Sequence, residues 1–512
     1  MRPFDTSHLA TQFAEIASWL DETLDSGLAL SLFPLRQGEF DSVCNVVPLV
    51  ERFSVARVYG AQWQGLPWFD FRVHDYGRPW TGAAQFHKIQ APGILALDSA
   101  GTRDLQVVTA ELMLLPTHWV FDPLTGSMLT SDLFGHVCGR AVQSDVTDWE
   151  QDMTTVQEHL VGNRYWWLPG ARTTEIAEAI RQLFAQRTVN RIIPAHGAIL
   201  EGEEVVTHHV EVVCSVIEVL GGEEPARPLS IGSGLPTTAP NHQSAPPRPT
   251  IPPGPVKRKL PRELQPGLNW LGACLEQRYK GQIFHSYNSV YVVSGTQRSV
   301  IVEGGFPSDL DVLDAQLDEL LATGIPPVEF LFATHCETPH ASGIGRFLQK
   351  FPKARAVGGV HDLHLVFPEF ADRIQVPGPA GVSLDLGGGR FFRSVPAVIR
   401  DLTPTFWGFD TKAATLFPAD GFSFSHYHSE AHCGLVAEEA GSLDMPDMTA
   451  LFAELALIWT RFTDIEPYIG ALEKLLSELG VELIAPTHGL PITDLAATVP
   501  QVVDGLRLGA WH

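Results

Sequence analysis

Apolar positions along the chain switch repeatedly between two periods. In "SVYVVSGTQRSVIVEGG" (289–305) β-branched residues flank a Gly-Thr turn, which predicts a hairpin. In "DLDVLDAQLDELLATG" (309–324) Leu313, Leu317, Leu320 and Leu321 recur at helical spacing, and Gly324 is placed to stop the helix. "VEFLFATH" reads as a short buried strand and "SGIGRFLQKF" as the start of a helix. "YIGALEKLLSELG" (468–480) is amphipathic and leads into the strand "VELIAPTHG". "LGGGR" (386–390) reads as a turn between strands rather than a phosphate-cradling loop. Strands alternating with helices around a hairpin-rich middle predict an α/β fold, two packed sheets with helices outside.

The periodicity fails over residues 223–264, "EEPARPLSIGSGLPTTAPNHQSAPPRPTIPPGPVKRKLPREL", where proline, serine and glycine dominate. Such a stretch is a semi-stiff, extended linker, and it separates residues 1–222 from residues 265–512. The two parts repeat one another. "SLFPLRQGEFDSVCNVVPLVERFSVARVYG" (31–60) aligns without gaps with "FLFATHCETPHASGIGRFLQKFPKARAVGG" (330–359), and "IQAPG" (89–93) with "IQVPG" (374–378). "HWVFDPLTGSMLTSDLFG" (118–135) aligns with "FWGFDTKAATLFPADGFS" (406–423), and "RIIPAHG" (191–197) with "LIAPTHG" (483–489). Matching blocks in one order predict two copies of one fold. The first copy begins too late to contain the opening hairpin, so its sheet is expected to be shortened or completed in another way.

Composition narrows the function classes. A chain of 512 residues exceeds one ordinary core, and 45% hydrophobic with 18% charged residues fits a packed globular protein. A net charge of −24 argues against nucleic acid or an anionic membrane as partner. No long apolar run and no signal-peptide layout are seen, and six scattered cysteines without a CxxC pair suit a reducing compartment. A cytoplasmic protein is expected.

Chemistry-bearing residues collect after predicted strands of the second part. His335, Glu337 and His340 follow "FLFAT", Asp420 follows "ATLFPA", and His488 follows "ELIAPT". Loops at one edge of a sheet can gather distant ligands, so these five are the candidate metal ligands. The motif "HCETPH", with "LFPADGF", "IAPTHG" and "WTRFTDIEPYIGALEKLLSELGVELIAPTHG", resembles the metallo-β-lactamase superfamily, within it the flavodiiron (oxygen-binding diiron) branch. Hydrolase members carry His-x-His-x-Asp-His where diiron members carry His-x-Glu-x-Asp-His, and Glu337 stands in the discriminating position. A carboxylate there is a harder ligand than imidazole and favours iron over zinc. The resemblance implies two tandem αββα sandwich domains, one or two irons in the second, and oxygen or nitric oxide as ligand. Zinc remains open as the metal.

The chain departs from the family pattern. Pro339 replaces the motif aspartate and Phe406 the middle histidine, leaving His335, Glu337 and Asp420 for one metal and His340, His488 and Asp420 for the other. His426, His428 and His432 follow closely enough for one to substitute. In the first copy Arg36, Gly38, Phe40 and Asp41 stand where the second has His335, Glu337, Pro339 and His340, although His118, Asp132 and His196 survive as a lesser candidate set. The charge of Arg36 would oppose a cation there, and the long linker gives no reason for the two pockets to coincide. No flavodoxin-like, FMN-binding domain is recognised, so redox turnover would need an external electron donor. Three functions stay open: an iron protein that binds or reduces oxygen or nitric oxide, a metal-dependent hydrolase, and a non-catalytic sensory or binding protein. The assembly is either a homodimer or a pseudo-dimer within one chain.

Overall fold

The structure is a computed structural model that describes residues 12–24, 30–36, 38–60, 69–71, 84–97, 103–137, 149–222, 258–279, 282–378, 381–425, 434–440 and 444–510. It is a mixed α/β fold. In the C-terminal half, seven strands order as Arg262–Gln265, Leu268–Tyr279, Gln282–Ser294, Ser299–Val302, Val328–Ala333, Arg355–Gly358 and Ile374–Gln375. The predicted hairpin is present, with Ser294 paired to Ser299. From Ser299–Val302 onward the pairing is parallel, because helix Leu310–Ala322 carries the chain back across the sheet. Gly324 lies just past that helix at φ +85°, a conformation in which a Cβ would be strained.

A second sheet holds Ser383–Gly387, Arg390–Pro396, Phe406–Asp410, Thr415–Phe417 and Leu483–Ile484. The two sheets meet face to face. Phe332 and Tyr291 of the first pack against Phe392 and Phe417 of the second, at ring separations of 4.9 Å for Phe332–Phe392 and 5.4 Å for Tyr291–Phe417. The "LGGGR" segment is the turn of a hairpin, with Gly387, Gly388 and Gly389 all at positive φ.

The N-terminal half holds two further sheets. Leu30–Leu32, Val55–Gly60 and Gln85–Lys88 make a parallel three-stranded sheet, and six strands from Gly93–Ala96 to Leu200–Glu201 make the second. Phe33, Leu35 and Tyr59 share an apolar cluster with Val107, Val120 and Leu129. One boundary differs: Arg262–Gln265, read from composition as the end of the linker, forms the edge strand of the seven-stranded sheet. Residues 223–257 of that linker lie outside the described residues. The described cysteines Cys44, Cys214, Cys274 and Cys336 are free thiols. No helix among the described residues is long and apolar enough to cross a membrane.

The halves are joined along an extensive seam. Trp167 stacks on Phe462 with centroids 5.6 Å apart, Arg172 donates its backbone N–H to the Phe462 carbonyl at 2.7 Å, and the Arg400 guanidinium lies over Trp166. Phe40 inserts into the apolar cluster of Leu363, Val366 and Phe367. The two loops that carry "RQGEFD" and "HCETPH" also touch: Thr338 N–H donates to Gly38 O at 2.8 Å, and Glu39 pairs with Glu337 in an antiparallel bridge. Trp167→Ala should cost about 3–5 kcal/mol, the usual range for a large core truncation. A urea midpoint equal to that of the parent would show that this seam contributes nothing.

Candidate metal centre

His335, Glu337 and His340 follow the parallel strand Val328–Ala333 on its exit loop, which turns into the short helix Thr338–Ala341. Pro339 fits there because the first turn of a helix needs no N–H from it. Asp420 comes from a short 3-10 turn after Thr415–Phe417, and His488 from the loop after Leu483–Ile484. His488 is pinned on both sides: its carbonyl accepts from Phe424 N–H at 3.3 Å, and it bridges to Asn288.

Four of the five residues form one tight group: ligand-capable atoms of His335, Glu337, His340 and Asp420 lie within 4.8 Å of one another. His335 Nε2 is 3.2 Å from Glu337 Oε2 and 3.6 Å from Asp420 Oδ2, and His340 Nε2 is 3.2 Å from Asp420 Oδ2. His488 joins from the other side, its Nε2 3.5 Å from Asp420 Oδ1. Asp420 therefore turns one oxygen to His335 and His340 and the other to His488, the disposition of a bridging carboxylate.

Two carboxylates complete the group that sequence reasoning did not single out. Asp401 lies 3.3 Å from His335 Nε2, is 1% exposed, and has no aligned hydrogen bond to either oxygen. Glu303 stands behind His340, its Oε1 3.3 Å from Nδ1, and accepts from Thr334 Oγ1 at 2.7 Å and Thr487 Oγ1 at 3.2 Å. Asp401 is a lone acid in an irregular loop with no motif around it. Glu303 was findable: like the others, it sits at the end of a buried strand, Ser299–Val302. Phe406, in the middle-histidine position, only donates its backbone N–H to Thr334 O. His426, His428 and His432 lie outside the described residues.

The electrostatics are those of a cluster that wants a cation. Burial would lower the His335 pKa, but the Asp401 carboxylate, with Glu337 and Asp420, raises it well above the ordinary histidine value. His340 is likewise raised to about 9, against burial and the nearby His335, by Asp420 and Glu303. Burial pushes Glu337 up to about 7, and His488 down to about 4. Asp420 is held well below the usual carboxylate range by its histidine neighbours, despite burial. Among the described residues, no lysine or arginine pairs with Glu303, Glu337, Asp401 or Asp420.

The first-half cluster is filled differently. The Arg36 guanidinium, 1% exposed, sits among Glu39 (2.7 Å), Asp41 and Asp132 (3.2 Å), with Ser131 Oγ accepting from Nε at 2.9 Å. Arg164 adds a second guanidinium against Glu39 and Asp132. His196 faces Asp41 at 2.8 Å, and this contact raises its pKa. His118 turns away, towards the Ile89 carbonyl (3.4 Å) and the Phe33 ring. Asp41, Asp132 and His196 are thus close enough to hold a metal, yet arginine nitrogens already lie against both carboxylates.

The two clusters adjoin, contrary to what the linker suggested. A cavity of about 120 Å³ is lined by Asp41, Arg164 and His196 from one half and by His335, His361 and Pro404 from the other. Metal uptake must displace the protons held by His335 and His340. Affinity is therefore expected to rise with pH up to about 9, the value for His340, with net proton release at pH 7.5. Calorimetric titration in buffers of different ionisation enthalpy checks this. Removing one partner from a buried ion-pair network typically costs about 3–5 kcal/mol, so Arg36→Met should destabilise the fold by that order, read from its thermal unfolding.

No family model matches the sequence, and no curated protein does. Among solved structures, the chain is similar to the rubredoxin oxygen:oxidoreductase of the anaerobe Desulfovibrio gigas, at 14% identity and a TM-score of 0.36. It is also similar to the flavodiiron protein of Giardia intestinalis, at 18% identity and a TM-score of 0.37. Both alignments cover 49% of this chain and 60% of the other, so the chain spans under two thirds of either structure's length. A metallo-β-lactamase from Pontibacter korlensis aligns at 14% identity and a TM-score of 0.30, over 49% of this chain and 98% of its own. Each likeness extends over about half of the present chain.

Proposed function

We propose that the C-terminal half is a non-heme iron site of the diiron type that binds or reduces oxygen or nitric oxide. The N-terminal half is then a partner domain whose own strand-end cluster is filled by arginine. One observation carries this reading: three buried carboxylates, the half-buried Glu337 and three histidines converge with no lysine or arginine among the described residues to balance them. Leaving buried carboxylates uncompensated is costly, so the group fits a bound cation. His340 Nε2 and both oxygens of Asp401 make no aligned hydrogen bond, which agrees with this.

His335, Glu337, Asp401 and Asp420 would hold one ion, and His340, His488 and Asp420 the other, so Asp401 takes the place left by the missing middle histidine. The oxygen-rich, thiolate-free donor set favours iron. Bound iron would supply electrons and open positions for a diatomic ligand. The Glu303 carboxylate, 3.3 Å from His340 Nδ1, favours the tautomer protonated at Nδ1, which leaves Nε2 for the metal. Thr334 and Thr487 hold Glu303 in turn. The Phe306 and Phe452 rings beside His488 keep water from that side. A cavity of about 120 Å³ suits a diatomic molecule better than a drug-sized ester or lactam, whose pockets are roughly 300–1,000 Å³.

Protein purified without oxygen should contain iron and gain an absorption band on admitting air. Asp420→Asn should abolish loading, and Glu303→Gln should weaken it by about 10–100-fold. Zinc together with ester or thioester cleavage would favour a hydrolase instead. No bound metal in a folded chain would overturn the proposal.

A further inference from the structure

A further group of imidazoles gathers where helix Trp149–His159 packs on helix Glu203–Leu220. Asp152 comes from the first helix, His208 and His209 from the second, and His136 from the loop after strand Ser127–Ser131. His208 Nε2 is 2.8 Å from Asp152 Oδ2. His209 Nδ1 is 3.1 Å from His136 Nε2. Ligand-capable atoms of Asp152, His208 and His209 lie within 4.8 Å of one another.

His209 is 2% exposed, and its Nε2 is buried with no hydrogen-bond partner. Such an atom is costly to bury unless something meets it. Nδ1 is engaged by His136, so Nε2 is the atom His209 can offer. Metal-bound histidines are commonly held this way, with the second ring nitrogen hydrogen-bonded to an outer group. His136 suits that outer role because it is buried itself and its Nε2 lies at hydrogen-bond distance from His209 Nδ1. Asp152 and His208 are partly exposed, so an ion can enter from solvent and keep water as a further ligand.

We propose that Asp152, His208 and His209 form a separate site for one divalent transition cation of the zinc class, with His136 positioning His209. Two imidazoles and one carboxylate suit a borderline ion rather than calcium or magnesium. This site is independent of the iron reading, since it shares no residue with the C-terminal cluster.

The test uses the full chain with the C-terminal cluster silenced by His340→Ala and Asp420→Asn. Equilibrium dialysis against zinc should give one ion per chain in that background. Adding His208→Gln, or separately Asp152→Asn, should weaken it at least about 10-fold. Cobalt in place of zinc should show the intense visible absorption of a low-coordinate site and lose it in the same variants. The Trp149 ring meets His208 edge-on at 5.5 Å, so copper should quench its fluorescence, an effect removed by Trp149→Phe. Absence of zinc from the background protein would overturn the proposal. So would zinc that survives both substitutions, which would place it at Asp41, Asp132 and His196 instead.

Discussion

Carboxylates withdrawn from water need positive charge at contact distance, and that requirement organises both halves of this protein. In the first half the need is met by the chain's own guanidinium groups, Arg36 and Arg164 lying among Glu39, Asp41 and Asp132. In the second half, among the described residues, the cationic partners within reach of Glu303, Glu337, Asp401 and Asp420 are histidines. Protons on His335 and His340 can balance part of that charge, and a metal can balance more. The same strand-end geometry thus supports a fixed cation in one place and an exchangeable one in the other.

The seam gives the fixed-cation half a use. Arg164 and His196 line the cavity that reaches His335, so the environment met by an incoming molecule is set partly by residues from the other half. The Arg36 and Arg164 network anchors that wall, while Phe40 fastens the loop to the apolar cluster beneath. An arginine that fills its own cluster can in this way shape access to the neighbouring one.

Much of this was legible in the chain itself. The hairpin at 289–305, the helix closed by Gly324 and the clustering of His335, Glu337, His340 and Asp420 follow from periodicity and spacing, because each depends on local pattern or on strand ends. Asp401 and Arg164 were not legible. Each reaches its cluster from an irregular or π-helical segment whose path is set by tertiary packing, and neither carries a motif. The meeting of the two clusters was also hidden. A proline-rich linker fixes only a maximum reach, whereas the contact is made by Thr338, Gly38 and Phe40. His136 and His209 went unremarked because they are far apart in sequence and only helix packing unites them.

Gly38 occupies the position that aligns with Glu337, and the two residues meet: a Cβ on Gly38 would collide with the Glu337 carboxylate. Any side chain at Gly38 would make the Glu337 carboxylate swing away from its present place beside His335. The bare backbone of one half thus decides where an acid of the other half can stand.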